Sequence, residues 1–121
     1  MDRRKWLALA LASGLLWAPD AWARSLRMLE STPQAEAYID GKNAQYAVRF
    51  DGPVDHLASR LWIVRDGKVV ETLPVFVDAE PDVLFGTAPQ LPPGHYELRW
   101  SAQSAPDGEV TAGQIGFTIR P

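Results

Sequence analysis

Cysteine is absent from the 121 residues, and histidine and methionine each occur only twice. Without cysteine the chain can form no disulfide and no thiolate metal site, so its fold has to depend on a hydrophobic core. The sequence also lacks a His-Glu-x-x-His helix motif, a Gly-x-Ser-x-Gly elbow and a glycine-rich phosphate loop. Those motifs carry the commonest hydrolytic and nucleotide chemistries, so we do not expect an enzyme.

The first 23 residues differ in kind from the rest. Residues 3–5 are basic, residues 6–18 carry no charge, and residues 21–23 read Ala-Trp-Ala. This order of basic, apolar and small-x-small segments predicts a signal peptide that is cleaved after Ala23. The alternative is an uncleaved anchor, but a membrane-spanning helix needs about 20 apolar residues and this run is shorter. The Arg3-Arg4 pair leaves the choice between general secretion and twin-arginine export open.

The predicted mature domain, residues 24–121, is mildly acidic. It contains 9 basic and 13 acidic residues, a net charge of −4. Such a surface has no electrostatic footprint for nucleic acid or anionic lipid, so we predict that the domain binds no nucleic acid and does not insert into the membrane. The signal peptide predicts a periplasmic protein, and we expect it to be a monomer.

Alternation of apolar and polar residues runs through most of this domain, and no stretch sustains a helical period. The strands that this pattern predicts lie at residues 26–29, 46–50, 61–64, 69–70, 75–77, 83–85, 96–100 and 115–119. Turn-forming residues separate them, and Asp66-Gly67 predicts a two-residue type I′ hairpin. The fold class is therefore all-β, an Ig-like Greek-key sandwich or barrel of about seven or eight strands.

Aromatic residues are expected to fill the core of this sandwich. Tyr96 follows Pro93 and Gly94 at the start of a strand, a pattern typical of the tyrosine corner in Greek-key sandwiches. Trp62 and Trp100 both fall within predicted strands, so we interpret them as core residues rather than as a ligand-binding platform.

Two segments resemble the CopC copper-resistance family of periplasmic copper carriers. The first consists of Glu30-Ser31-Thr32-Pro33, Val48-Arg49-Phe50 and Pro53-Val54; the second of Leu91-Pro92-Pro93-Gly94-His95-Tyr96, Arg99-Trp100, Ser104, Asp107-Gly108, Gly113 and Phe117. Their order and spacing are similar to the opening and closing motifs of that family and span nearly the whole predicted domain.

The resemblance implies an Ig-like domain that binds Cu(II) through a histidine at the mature N-terminus and the Asp and His of an Asp-Gly-His segment. In this chain Ser25 stands at the first position and Glu109 at the last, and only Asp107 is retained. Met28 is the only methionine of the predicted domain, so the methionine-rich Cu(I) segment of some members is absent as well. Thioether sulfur is the ligand that Cu(I) prefers.

The remaining candidate ligands are few. Asp107 and Glu109 flank Gly108 and could form a residual or altered copper site, or simply a solvated turn. Either His56 or His95 could join the freed N-terminal amine in a new Cu(II) site, although nothing in their spacing makes the two converge. The acidic segment Asp78, Glu80 and Asp82 is interpreted as a solvated connection, with a docking surface as the alternative.

Two functions follow from these observations. The first is copper handling in the periplasm, with a degenerate Cu(II) site and an inner-membrane copper transporter of the CopD type as partner. The second is a structural or protein-interaction module of the cell envelope that has kept the fold and no longer binds copper.

Overall fold

A computed structural model describes residues 26–42 and 44–121 of the chain. Within these residues there are eight strands: β1 (Met28–Thr32), β2 (Ala37–Ile39), β3 (Gln45–Phe50), β4 (Arg60–Arg65), β5 (Lys68–Leu73), β6 (Val83–Thr87), β7 (Gly94–Gln103) and β8 (Val110–Ile119). No helix in this part of the chain is long and apolar enough to cross a membrane. The predicted signal peptide and Ser25 lie outside the described residues.

The strands form two sheets. One has three strands in the order β1-β3-β6, and the other has five in the order β2-β8-β7-β4-β5. Neighbouring strands are antiparallel except for β2 and β8, which run parallel. This arrangement confirms the predicted all-β sandwich of seven or eight strands.

The core lies between the two sheets and follows the alternation seen in the sequence. Inward-facing side chains of β3, β7 and β8 are fully or almost fully buried: Tyr46, Val48, Phe50, Tyr96, Leu98, Trp100, Ile115, Phe117 and Ile119. The ring of Phe117 packs between Tyr46 and Tyr96, with centroid distances of 5.8 and 5.7 Å. Burial of aromatic side chains of this size dominates the energetics of a small core.

The predicted hairpin is present between β4 and β5. Asp66 and Gly67 both have positive φ, 51° and 76°. A type I′ turn requires positive φ at both central positions, which Asp tolerates and Gly adopts without cost.

Two details of the strand prediction are wrong. Residues 75–77 form no strand, because Pro74 has no N–H to donate and the hydrogen bond from the N of Phe76 to the O of Phe85 (2.9 Å) does not continue into a ladder. The short strand β2, in contrast, was not predicted, since three residues are too few to establish alternation.

The core assignment of Trp62 is also wrong, whereas that of Trp100 is confirmed. Leu61 and Ile63 of β4 point into the core, so Trp62 between them points to the outer face of the five-stranded sheet, where it is half-buried. Trp100 is inward-facing on β7 and only 4% exposed.

Candidate functional site

The loop between β7 and β8 carries Asp107 and Glu109, the predicted metal ligands. It is a tight turn, closed by hydrogen bonds from the N of Ser104 to the O of Glu109 (2.8 Å) and from the N of Gly108 to the O of Ser104 (2.9 Å). The N of Glu109 donates to Oδ1 of Asp107 at 2.9 Å, so one carboxylate oxygen of Asp107 holds the turn in shape. Asp107 is exposed and Glu109 is half-buried.

This turn lies at the same end of the sandwich as the beginning of β1. Ala105 donates its N–H to the O of Pro53 (3.1 Å), and Val54 forms an isolated bridge with Ser104. Residues 51–54 also contact the start of the first strand, because the N of Arg27 donates to Oδ1 of Asp51 at 2.9 Å. Arg27, close to the first residue that the structure describes, therefore lies at the end of the sandwich that carries Asp107 and Glu109.

The chemistry of this turn is that of oxygen donors. Two carboxylates suit hard cations better than Cu(II), which favours imidazole and amine nitrogen. Among residues 26–42 and 44–121, no group of three or more histidine, aspartate, glutamate or cysteine side chains is placed to hold a metal ion. A nitrogen donor at this end of the molecule would have to come from His56 or from the chain terminus.

His56 lies in the loop before β4, which is joined to the same end by the hydrogen bond from the N of Asp55 to the O of Gln103 at 2.8 Å. Its Nε2 lies 2.9 Å from the O of Val83 and 3.2 Å from the O of Glu80. Because carbonyl oxygens only accept, Nε2 must carry the proton and donate. The nitrogen left for a metal is Nδ1.

His95 lies at the other end of the sheet, at the start of β7. It is exposed, as predicted, and its Nδ1 lies 3.2 Å from Oγ1 of Thr118. At the usual rise of a strand, the residues from His95 to Gln103 span about 26 Å. The structure therefore does not bring the two histidines together, and only His56 shares an end with Asp107.

The structure contains an ion-pair cluster around Arg49 that the sequence analysis did not predict. Its guanidinium donates to both carboxylate oxygens of Asp82 (3.0 and 2.8 Å) and to Oε1 of Glu80 (2.5 Å), and its Nε lies 3.3 Å from Oε2 of Glu30. Hydrogen bonds to Glu80 and Asp82 raise the pKa of Arg49 above its ordinary value. Two of the three acidic side chains of segment 78–82 are thus engaged by Arg49 on the three-stranded sheet.

The tyrosine corner predicted from residues 93–96 is confirmed. The hydroxyl of Tyr96 donates to the O of Pro92 at 2.5 Å, and Nη1 of Arg65 donates to the same hydroxyl at 3.1 Å. The guanidinium of Arg65 also lies 5.2 Å from the centre of the Tyr96 ring, within the range of a cation–π interaction.

Comparison with known proteins shows the family to which this fold belongs. The model of the CopC domain matches residues 28–120. The crystal structure of CopC from Methylosinus trichosporium OB3b is 27% identical, with a TM-score of 0.71 over 80% of this chain and 95% of that one. PcoC, a methionine-rich copper resistance protein from Escherichia coli, shares the fold at 20% identity, with a TM-score of 0.60 over 80% of this chain and 100% of that one. No curated protein matches the sequence.

Proposed function

Because the chain belongs to the CopC family, we propose that it handles copper in the periplasm, by binding rather than by catalysis, after export and cleavage behind Ala23. The observation that carries this proposal is the family match over residues 28–120, which includes nearly all of the described sandwich. The basic, apolar and small-x-small order of the first 23 residues supports export.

Copper is the cargo in this proposal, held weakly by the turn between β7 and β8. Asp107 and Glu109 supply carboxylate oxygens. Oδ1 of Asp107 accepts from the N of Glu109, and Oδ2 of Asp107 is the oxygen that can bind the metal. The new amino terminus, close to Leu26 at the same end of the sandwich, supplies the nitrogen donor in this proposal, because His56 is not grouped with the two carboxylates. A mixed nitrogen and oxygen set of this kind suits Cu(II) in a tetragonal arrangement.

The partner in this proposal is an inner-membrane copper transporter of the CopD type. Since glutamate replaces one family histidine and serine the other, a weak site would release copper readily. Rapid release favours delivery to a partner over storage, because most differences in affinity are differences in the rate of dissociation.

A copper titration tests the site. The exported protein is purified without a tag, its first residue is identified by mass spectrometry, and Cu(II) binding is measured against a competing chelator and by EPR. We expect one site, and we expect affinity to fall about tenfold or more when Asp107 and Glu109 are both changed to alanine, which removes two charged ligands.

The matched control is the double variant Asp78→Ala with Glu71→Ala, which removes the same charge from another part of the surface. It should leave the affinity unchanged. Equal affinity in the wild type and the Asp107→Ala, Glu109→Ala variant would exclude the turn. A complete lack of Cu(II) binding would instead favour a protein-interaction module that no longer binds copper.

A further inference from the structure

The outer face of the five-stranded sheet carries a groove that copper handling does not use. Trp62 of β4 lies on this face, with Arg99 of β7 and Thr72 of β5 as its cross-strand partners. The groove beside it has a volume of about 550 Å³. It is lined by Arg60, Trp62, Val69, Thr72 and Ser101. Binding sites for small organic molecules have volumes of this order, roughly 300–1,000 Å³.

Two surfaces in the groove are apolar. The indole of Trp62 is only half-buried, and the side chain of Val69 is 59% exposed. A tryptophan that remains accessible in a concave, partly apolar site offers a flat surface on which a sugar ring or an aromatic ring can stack. The hydroxyl groups of Thr72 and Ser101 line the same groove and can both donate and accept hydrogen bonds.

The charge of the groove comes from Arg60. This side chain is exposed and makes no ion pair or side-chain hydrogen bond with any residue that the structure describes. Arg99, the neighbouring cation on the same face, is by contrast bound to Oε1 of Glu97 by two hydrogen bonds of 3.0 and 2.6 Å. In a domain with a net charge of −4, the uncompensated guanidinium of Arg60 is a local attraction for an anion.

From these observations we propose that the groove binds a small anion that carries a flat face. The flat face stacks on Trp62, the carboxylate pairs with the planar guanidinium of Arg60, and polar groups of the ligand bond to Thr72 and Ser101. Guanidinium and carboxylate match each other in a bidentate geometry, which fixes the orientation of the ligand as well as its charge. Uronic acids and aromatic carboxylates both have this chemistry.

Binding is tested on the exported protein by NMR and by tryptophan fluorescence, with galacturonate and benzoate as probes and glucose as the neutral control. We expect amide shifts confined to β4, β5 and β7, and a fluorescence change that disappears in Trp62→Phe. Binding of galacturonate alone identifies a sugar-acid site, and binding of benzoate alone an aromatic-acid site.

The charge is tested by Arg60→Gln, which should weaken binding about tenfold, the usual effect of losing a hydrogen bond to a charged group. Arg120→Gln is the matched control, because Arg120 is an exposed arginine outside the groove, and it should bind as the wild type does. The proposal is wrong if neither anion shifts the β4, β5 and β7 amides, if glucose binds as well as the anion that binds best, or if Arg60→Gln binds that anion with unchanged affinity.

Discussion

The indole of Trp100 lies directly against the backbone of Gly113, its cross-strand partner on β8. A Cβ atom at residue 113 would stand 2.5 Å from Cζ2 and 2.7 Å from Cε2 of Trp100. Real Cβ atoms do not approach other carbons this closely, so glycine at this position lets the largest side chain of the core lie flat on the sheet. The tryptophan in turn packs edge-to-face with Phe50 of the opposite sheet, at a centroid distance of 6.3 Å.

Gly113→Ala should therefore destabilise the fold. The indole is almost fully buried and has little room to move, so the free energy of unfolding should fall by about 1–3 kcal/mol, the usual cost of overpacking a core. Gly41→Ala is the control, because its Cβ would meet only an ordinary contact 3.7 Å from Cγ2 of Ile119. Urea unfolding of the two variants measures the difference, and equal stability would show that Trp100 can be displaced without cost.

Tyr96→Phe tests the tyrosine corner. The substitution removes the hydrogen bond to the O of Pro92 and the one received from Arg65, while the ring keeps its place against Phe117. Loss of a part-buried hydrogen bond should lower the free energy of unfolding by about 1–2 kcal/mol. Tyr38→Phe, at a tyrosine that is 65% exposed, should change it very little. Two indistinguishable denaturation curves would contradict a stabilising corner.

Gly67→Ala isolates a purely conformational effect in the β4–β5 hairpin. A methyl group here would contact nothing within 4 Å, so any loss of stability comes from the positive φ of 76°. We expect a loss of about 1–2 kcal/mol, the cost of the left-handed conformation for an L-residue. Asp66→Asn should be tolerated, because asparagine accepts positive φ as readily as aspartate. Thermal unfolding of Gly67→Ala and Asp66→Asn, each compared with the wild type, measures the two changes in stability.

The Arg49 cluster should contribute a coupling that depends on salt. A double-mutant cycle of Arg49→Met and Asp82→Asn should give a favourable interaction in 10 mM NaCl that decreases in 1 M NaCl, because these groups are partly exposed. A raised pKa favours the protonated arginine in the folded state, so this contribution is lost as the pH rises into the strongly alkaline range where arginine deprotonates. A coupling of zero at low salt would mean that the ion pair does not stabilise the fold.

Local patterns in the sequence predicted most of the sandwich. The alternation in residues 46–50, 96–100 and 115–119 placed each inward-facing side chain correctly, because a strand with one buried face must alternate. The Asp66-Gly67 turn and the tyrosine corner could also be predicted, because each depends on residues that are close together in the chain. The orientation of Trp62 was missed because residues 61–64 form a continuous apolar run in which either face could be the inner one.

The arrangement of the candidate site could be predicted only in part. The Pro-Asp-Gly sequence at residues 106–108 indicated a turn, and the structure contains one. Its contact with Pro53, and the bonds from His56 to Val83 and Glu80, join residues that are far apart in the chain. The Arg49 cluster is of the same kind, because Glu80 and Asp82 follow Arg49 by 31 and 33 positions in the chain. No local pattern encodes such pairings.

The measurement that tests copper handling most directly is copper tolerance in the organism's own cells. Strains with the gene deleted, and with the deletion complemented by the wild type or by the Asp107→Ala, Glu109→Ala variant, are grown across a series of Cu(II) concentrations while periplasmic copper is measured. We predict that deletion changes both tolerance and periplasmic copper, that the wild type restores them, and that the variant does not. Identical growth and copper content in all strains would contradict the proposed function.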